Sequence, residues 1–273
     1  MPMFRRRERY APANARLPGR TPRSVASVSR SPCHEGRVTK AVSRRRGGHV
    51  TEQAERVPEA LLLDFGGVVL RSGHDLMGRL PARHPATTPV VERRGDFGSE
   101  PDELWERMLR EEISERDYWS LRAREVGDML GRDWDTRDFM AELYAGPPSG
   151  VLHPDALDLV ADVRPTGVRL GVLTNDLAAF HGPEWIEQMD ILREMDAIVD
   201  GSATGVLKPD PRAYRLAAEA LGTPCDRILF LDDMPWNVAG ARSVGMTAHQ
   251  VDLTRPVAAF DLARRQLGLD AAA

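Results

Sequence analysis

The chain has 273 residues, with 37 basic and 41 acidic side chains, a formal net charge of −4 and 42% hydrophobic residues. That length suits one sizeable domain or a domain with a subdomain, and no apolar run approaches the ~20 residues that cross a bilayer, so no membrane partner is expected. Two cysteines, Cys33 and Cys225, stand far apart with no neighbour at zinc-ligand spacing, which excludes a disulfide framework and fits a reducing cytoplasm.

The charge is unevenly spread. Residues 1–49 hold 13 bases against 2 acids, leaving 24 bases and 39 acids for residues 50–273. Residues 1–56 are rich in Arg, Pro, Ser and Gly and show no apolar periodicity. Such a segment buries too little surface to offset the entropy of ordering, so it is expected to be disordered. Its arginine triplets, Arg5–Arg7 and Arg44–Arg46, leave it open as an arm for nucleic acid or another acidic surface, and nothing else in the chain suggests a nucleic-acid partner. Two further readings stay open: an inert tail, and a start placed too early, because folding signals begin only after Val50 and valine codons can serve as bacterial starts. An organellar leader is also Arg- and Ser-rich, but the absence of an apolar h-region after the arginines argues against a secretory signal.

Folding signals begin with Leu61-Leu62-Leu63, which runs into Asp64-Phe65-Gly66-Gly67-Val68-Val69. A short apolar run of this kind reads as a buried parallel strand. Residues 71–100, with Pro81, Pro85 and Pro89, read as irregular. A helical block follows: one helix capped at 99–102 and running to about 112, a second opening at Ser114 with Tyr118, Trp119 and Leu121, and a third opening at Asp135 with Phe139, Met140, Leu143 and Tyr144. The aromatic stripes read as core. The block is expected to be a small helical subdomain, residues 73–149, inserted after the first strand.

Strand and helix then alternate. The expected order is a helix at 155–163, a strand at 168–173, helical residues to 195, and a strand at 197–199. A helix at 211–221, a strand at 228–231, a helix at 236–244 and a strand at 247–251 complete it. Cys225 reads as a small core residue opening the 228–231 strand. This pattern implies right-handed crossovers and an α/β fold with a doubly wound, mostly parallel, Rossmann-like sheet over residues 57–72 and 150–273.

The chemistry-bearing residues fall at strand ends, where open α/β sheets bind ligands. Asp64 follows the first strand, and a carboxylate beside a core is costly unless a metal or hydrogen bonds compensate it. Thr174-Asn175 ends the second strand; hydroxyl, amide and exposed backbone N–H groups suit a phosphate oxygen, although helix capping uses the same residues. Lys208 is one of only two lysines, the other being Lys40. A compact ammonium serves where an arginine fork is too wide. Asp232-Asp233 sets two carboxylates side by side, which repel unless a cation sits beside them, and hard oxygen ligands suit magnesium. Asn237 is placed to reach back and orient these acids, or else caps the helix. Ala239, Gly240, Ala241 and Gly245 are small enough to let their helix lie close to the sheet.

Asp64-Phe65-Gly66-Gly67-Val68, Thr174-Asn175, Lys208-Pro209 and the 232–241 segment beginning Asp232-Asp233 resemble, in order, the four motifs of the haloacid dehalogenase-like superfamily, and the resemblance covers about residues 58–265. The inserted helices resemble that family's cap of the first type. The resemblance implies a Mg²⁺-dependent phosphatase of small phosphorylated metabolites. In it Asp64 would be the nucleophile that forms an aspartyl-phosphate. Thr174, Asn175, Lys208 and Gly67 would contact the phosphoryl group, and Asp64, the Gly66 carbonyl, Asp232 and Asp233 would hold the metal. One position departs from the family pattern: Gly66 stands where these phosphatases usually carry a second aspartate as general acid and base. Two alternatives therefore remain open. One is a catalytically weak domain that binds a phosphorylated ligand or partner; the other is a metal-free haloacid dehalogenase, against which the Asp232-Asp233 pair argues.

Overall fold

The computed structural model describes residues 57–269; the expectations for residues 1–56 lie outside them. Five parallel strands make one sheet: β1 (Ala60–Leu63), β2 (Arg169–Thr174), β3 (Ala197–Asp200), β4 (Ile228–Asp232) and β5 (Thr247–Gln250), in the order β3-β2-β1-β4-β5. The pleat sorts their side chains. Leu61 and Leu63, with Leu170, Val172, Leu229 and Leu231, join one core layer, while Ala60, Leu62, Ile228 and Phe230 join the other. Helices Pro154–Val163 and Val257–Gln266 supply the first layer through Leu159, Val160, Phe260 and Ala263; helices Pro211–Leu221 and Pro235–Ser243 supply the second through Tyr214, Leu221, Val238 and Ala241. Each strand leucine is essentially sealed from solvent, and full burial of such a side chain stabilises by about 1.5–3 kcal/mol. The doubly wound α/β expectation holds. The chain steps outward from β1 to β2 and β3, then crosses back to place β4 and β5 on the other side of β1. That switch point sets the ends of β1, β2 and β4 beside one another.

The helices between β1 and β2 leave and rejoin the sheet through paired connectors: Leu70 bridges Leu152, and Arg71 N donates to the Val151 carbonyl at 2.8 Å. Local sequence explains the main inserted helices. Ser114 and Asp117 form a reciprocal capping box at the start of Glu115–Met129, as Asp135 and Asp138 do for Thr136–Leu143. The apolar faces of these helices continue the first core layer through Trp105, Tyr118, Trp119 and Phe139. Among the described residues no helix is long and apolar enough to cross a membrane.

Several expectations need correction. Residues 71–100 are not irregular: they form helical turns at Gly73–Met77, Leu80–Arg83, Pro85–Thr87 and Thr88–Val91. The three prolines sit in first-turn positions, where a missing N–H is harmless, so they open helices instead of breaking them. The first of the expected inserted helices is capped within 99–102, by Asp102, but as Glu103–Leu109 it ends short of residue 112. The stretch before β3 is divided at Gly182-Pro183 into Leu177–Phe180, Pro183–Glu187 and a 3₁₀ turn at Asp190–Glu194. The closing helix Val257–Gln266 was not anticipated. Cys225 is half-buried in a turn beside the second layer, not a sealed core residue. Of the small residues after β4, Ala239 and Gly245 are exposed, whereas Gly240 does mark a close approach. A Cβ there would lie 2.7 Å from the Tyr214 hydroxyl and 2.9 Å from the Pro209 carbonyl.

Candidate active site

Lys208 is the centre of the site. Its Nζ lies 2.8 Å from Asp64 Oδ2 and 2.7 Å from Asp232 Oδ2, with the Phe230 ring 5.6 Å beneath it. Burial opposes the ammonium charge, but the Asp232 and Asp64 carboxylates outweigh it and hold Lys208 above the ordinary lysine range. The lysine is held in turn through its own backbone. Asn175 Oδ1 accepts from Lys208 N at 2.8 Å, and Asn175 Nδ2 donates to the Lys208 carbonyl at 3.2 Å. Asn175 also lines the cavity, and its side-chain amide positions Lys208 while keeping a second Nδ2 proton.

The three aspartates differ in what their oxygens already bond. Asp64, just past β1, accepts from Phe65 N at 2.6 Å and from Lys208. Asp232 is sealed and accepts from Met234 N, from Lys208 Nζ and twice from Asn237 Nδ2. The expected reach of Asn237 is thus real and is aimed at Asp232, with Asn237 Oδ1 left buried and without a partner. The carboxylate of Asp233 receives no hydrogen bond or ion pair from any described residue, and only its backbone carbonyl is engaged, by Gln250. Carboxylate oxygens of all three acids lie within 4.8 Å of one another. Burial first, then the neighbouring acids, pushes the Asp233 carboxyl well above the usual range; Asp64 is raised in the same way, against the opposing pull of Lys208.

Backbone shape brings these groups together. Gly67 adopts φ 73°, and a Cβ on it would stand 2.8 Å from Asp233 Oδ2, so only glycine lets the loop after β1 lie against that acid. Gly66, by contrast, faces open space, with no heavy atom within 4 Å of a Cβ position. Both glycines and Thr174 line the cavity in front of Asp64 and Lys208, which measures about 80 Å³.

The inserted helices close the other side, with residues the sequence did not single out. Glu115, the first residue of its helix, enters the cavity wall beside Trp119. Burial first, then Asp176 and Asp232 working against Lys208, raises its carboxyl to about 7. Its place in the first turn reads as ordinary capping chemistry; the signal that it turns inward is Trp119 four residues on, along the same face. Asp176, after β2, also lines the cavity and is bound from outside by Arg116, Nη2 to Oδ1 at 2.6 Å. His74 lies with Nε2 2.8 Å from the Tyr118 hydroxyl, which donates to Asp102, itself paired with the buried Arg122. Burial lowers His74 to about 3 and His181 to about 4, so both imidazoles are neutral at physiological pH.

A doubly wound parallel sheet with an Asp–Lys–Asp cluster at its switch point defines the class of protein. The chain belongs to the haloacid dehalogenase-like hydrolase family, whose model matches residues 58–245. It is 37% identical over 100 residues to phosphatase MT3486 of Mycobacterium tuberculosis, covering 37% of this chain and 46% of that protein. It is 28% identical over 181 residues to a phosphoserine phosphatase of Thermus thermophilus, covering 66% of this chain and 65% of the relative. It is also 29% identical over 110 residues to the (S)-2-haloacid dehalogenase H-109 of Pseudomonas putida, covering 40% and 47%. The chain spans less than half the length of the first curated relatives it matches.

Proposed function

We propose that the chain is a Mg²⁺-dependent phosphatase of small phosphorylated metabolites, with Asp64 as nucleophile. The observation that carries this reading is the unmet carboxylate of Asp233 inside a cluster of three acids. An uncompensated carboxylate beside two others is costly, and hard oxygen donors with open space in front of them fit a magnesium ion. Asp233, Asp64 and the Gly66 carbonyl would hold it. Asp232, with its lone pairs engaged by four donor contacts, anchors Lys208 at the edge of the set and is not a free ligand. When bound, the ion supplies positive charge against the phosphoryl oxygens.

One Asp64 carboxylate oxygen attacks phosphorus, the bond from phosphorus to the ester oxygen breaks, and the leaving oxygen departs with the electron pair. Water then attacks the phosphorus of the aspartyl-phosphate, releasing inorganic phosphate and restoring the carboxylate. Lys208 binds the phosphoryl group and screens the Asp64 charge during attack, the main electrostatic task in such transfers. Thr174 donates its hydroxyl from the β2 end. Gly66 offers no general acid, so good leaving groups are favoured. The phosphatase names of two relatives support the reading. Dehalogenase chemistry, named for another relative, would leave Asp233 without a role. The inserted helices act as the cap, and the protein works in the cytoplasm.

The test is hydrolysis of p-nitrophenyl phosphate and acetyl phosphate with Mg²⁺, with EDTA, and after Mg²⁺ is restored. Loss and recovery of turnover are expected. EDTA-insensitive release of halide from 2-chloropropionate, with no phosphate release, would replace this reading with the metal-free one. Binding of phosphate with no turnover of either compound would leave a ligand-binding domain.

A further inference from the structure

The charge of the cavity wall narrows the substrate class, on the premise that the site is a phosphatase. Among the described residues lining the cavity, Lys208 is the only lysine or arginine, and both its carboxylate partners lie on the phosphoryl side. The wall beyond the phosphoryl position is built from Phe65, Leu70, Trp119, Met140, Tyr144 and Phe180. The ionisable groups there are Glu115, Asp176, the two neutral imidazoles of His74 and His181, and the Tyr144 phenol, which burial keeps neutral and which donates to the Arg71 carbonyl. Of the arginines behind this wall, Arg116 binds Asp176, and Arg137 donates to the Ala178 and Ala179 carbonyls. A second anionic group on the substrate would therefore meet Glu115 with no counter-ion, while losing its own hydration against aromatic rings.

We propose that the group esterified to phosphate is apolar and either uncharged or cationic, and that Glu115 excludes monoesters that also carry a carboxylate or a second phosphate. The aromatic wall takes an aryl or short alkyl group, and a substrate ammonium would find its partner in Glu115.

The test is calorimetric binding of three inert phosphonates to the full chain with Mg²⁺ at pH 8, where Glu115 is ionised: phenylphosphonate, 3-carboxyphenylphosphonate and 3-(aminomethyl)phenylphosphonate. Their rigid rings keep the added group away from the metal, and binding needs no turnover. The carboxylated compound is expected to bind at least tenfold more weakly than phenylphosphonate, and the amine at least as tightly. Glu115→Gln, checked for an unchanged melting temperature, is expected to shrink the tenfold gap to threefold or less. Equal or tighter binding of the carboxylated compound, whether or not Arg116→Gln abolishes it, would overturn the proposal while leaving the phosphatase reading intact. A gap that persists in Glu115→Gln would likewise overturn it. Failure of all three to bind would remove the phosphoryl site itself, and this inference with it.

Discussion

Replacing Asp233 by asparagine should make the metal-free protein more stable while abolishing its response to magnesium. Carboxylate oxygens of Asp64, Asp232 and Asp233 lie within 4.8 Å of one another. At 4.8 Å two like charges repel by about 3.5 kcal/mol in an effective dielectric of about 20. Lys208, within 2.8 Å of both other acids, cancels one of their two charges, so Asp233 faces about one uncompensated unit. Asp233 is partly open to the cavity, so solvent screening should reduce the gain from asparagine to about 1–3 kcal/mol. In a domain of this size that is a rise of roughly 2–10 °C in melting temperature. The pH dependence follows from the raised carboxyls of Asp233 and Asp64. The native state keeps protons that the unfolded chain gives up near its ordinary carboxyl pKa, so native stability falls as pH rises from there through the raised native value. The benefit of Asp233→Asn therefore grows with pH and is larger at pH 8 than near pH 5. Magnesium at a hundred times its Kd should stabilise the wild type by about 2.7 kcal/mol and the variant hardly at all. Thermal melts of both proteins at both pH values, with EDTA or with Mg²⁺, read all four quantities. A variant less stable than wild type in EDTA at pH 8, or an equal magnesium shift in both, would refute the assignment of Asp233.

Asp64→Asn should lower kcat on p-nitrophenyl phosphate by at least about a hundredfold, because an amide is not a nucleophile, while the melt stays cooperative; activity within tenfold of wild type would remove Asp64 from that role. Lys208→Met leaves Asp64 and Asp232 without their shared cation, and breaking such a buried pair costs about 3–5 kcal/mol, to be measured by urea unfolding at pH 7. Gly66→Asp should fold, since Gly66 has φ −68° and ψ 134° with open space at its Cβ. General acid assistance is typically worth about 10²–10⁴-fold, so the ratio of kcat/KM for an alkyl phosphate to that for p-nitrophenyl phosphate should rise at least about tenfold; an unchanged ratio would mean that the missing acid is not what limits turnover.

The three central strands and their polar ends were legible because β1, β2 and β4 are short, mainly apolar runs stopped by Asp64, Thr174 and Asp232. The capped helices opening at Ser114 and Asp135 were legible for the same kind of local reason. What sequence hid was the use to which side chains are put once the chain folds. Sequence marks Asn175 for a phosphate and gives no sign that its amide also clamps the Lys208 backbone at both ends. Asp232 and Asp233 are chemically identical neighbours, yet strand alternation points one at Lys208 and Asn237 and leaves the other unbonded. Glu115 reads as a helix-start acid, and only the packing of its helix over the sheet end turns it into the cavity wall.

Lys208 joins the two scales. The chain uses arginine almost everywhere and keeps one lysine beyond Lys40, and sequence alone allowed that to be chance. In the fold its Nζ stands 2.7 and 2.8 Å from two carboxylates that belong to different strand ends, directly above Phe230. A guanidinium carries its charge over a planar fork roughly twice as wide, suited to one carboxylate held side-on. Set between Asp64 and Asp232, that fork would push β1 and β4 apart or turn Asp64 out of line with the cavity. The strands cannot yield, since β1 and β4 are hydrogen-bonded in register up to Leu63 and Leu231, one residue short of the two acids. The residue type is thus fixed by the spacing of a sheet, and Lys208→Arg should be no substitute for lysine in either stability or turnover.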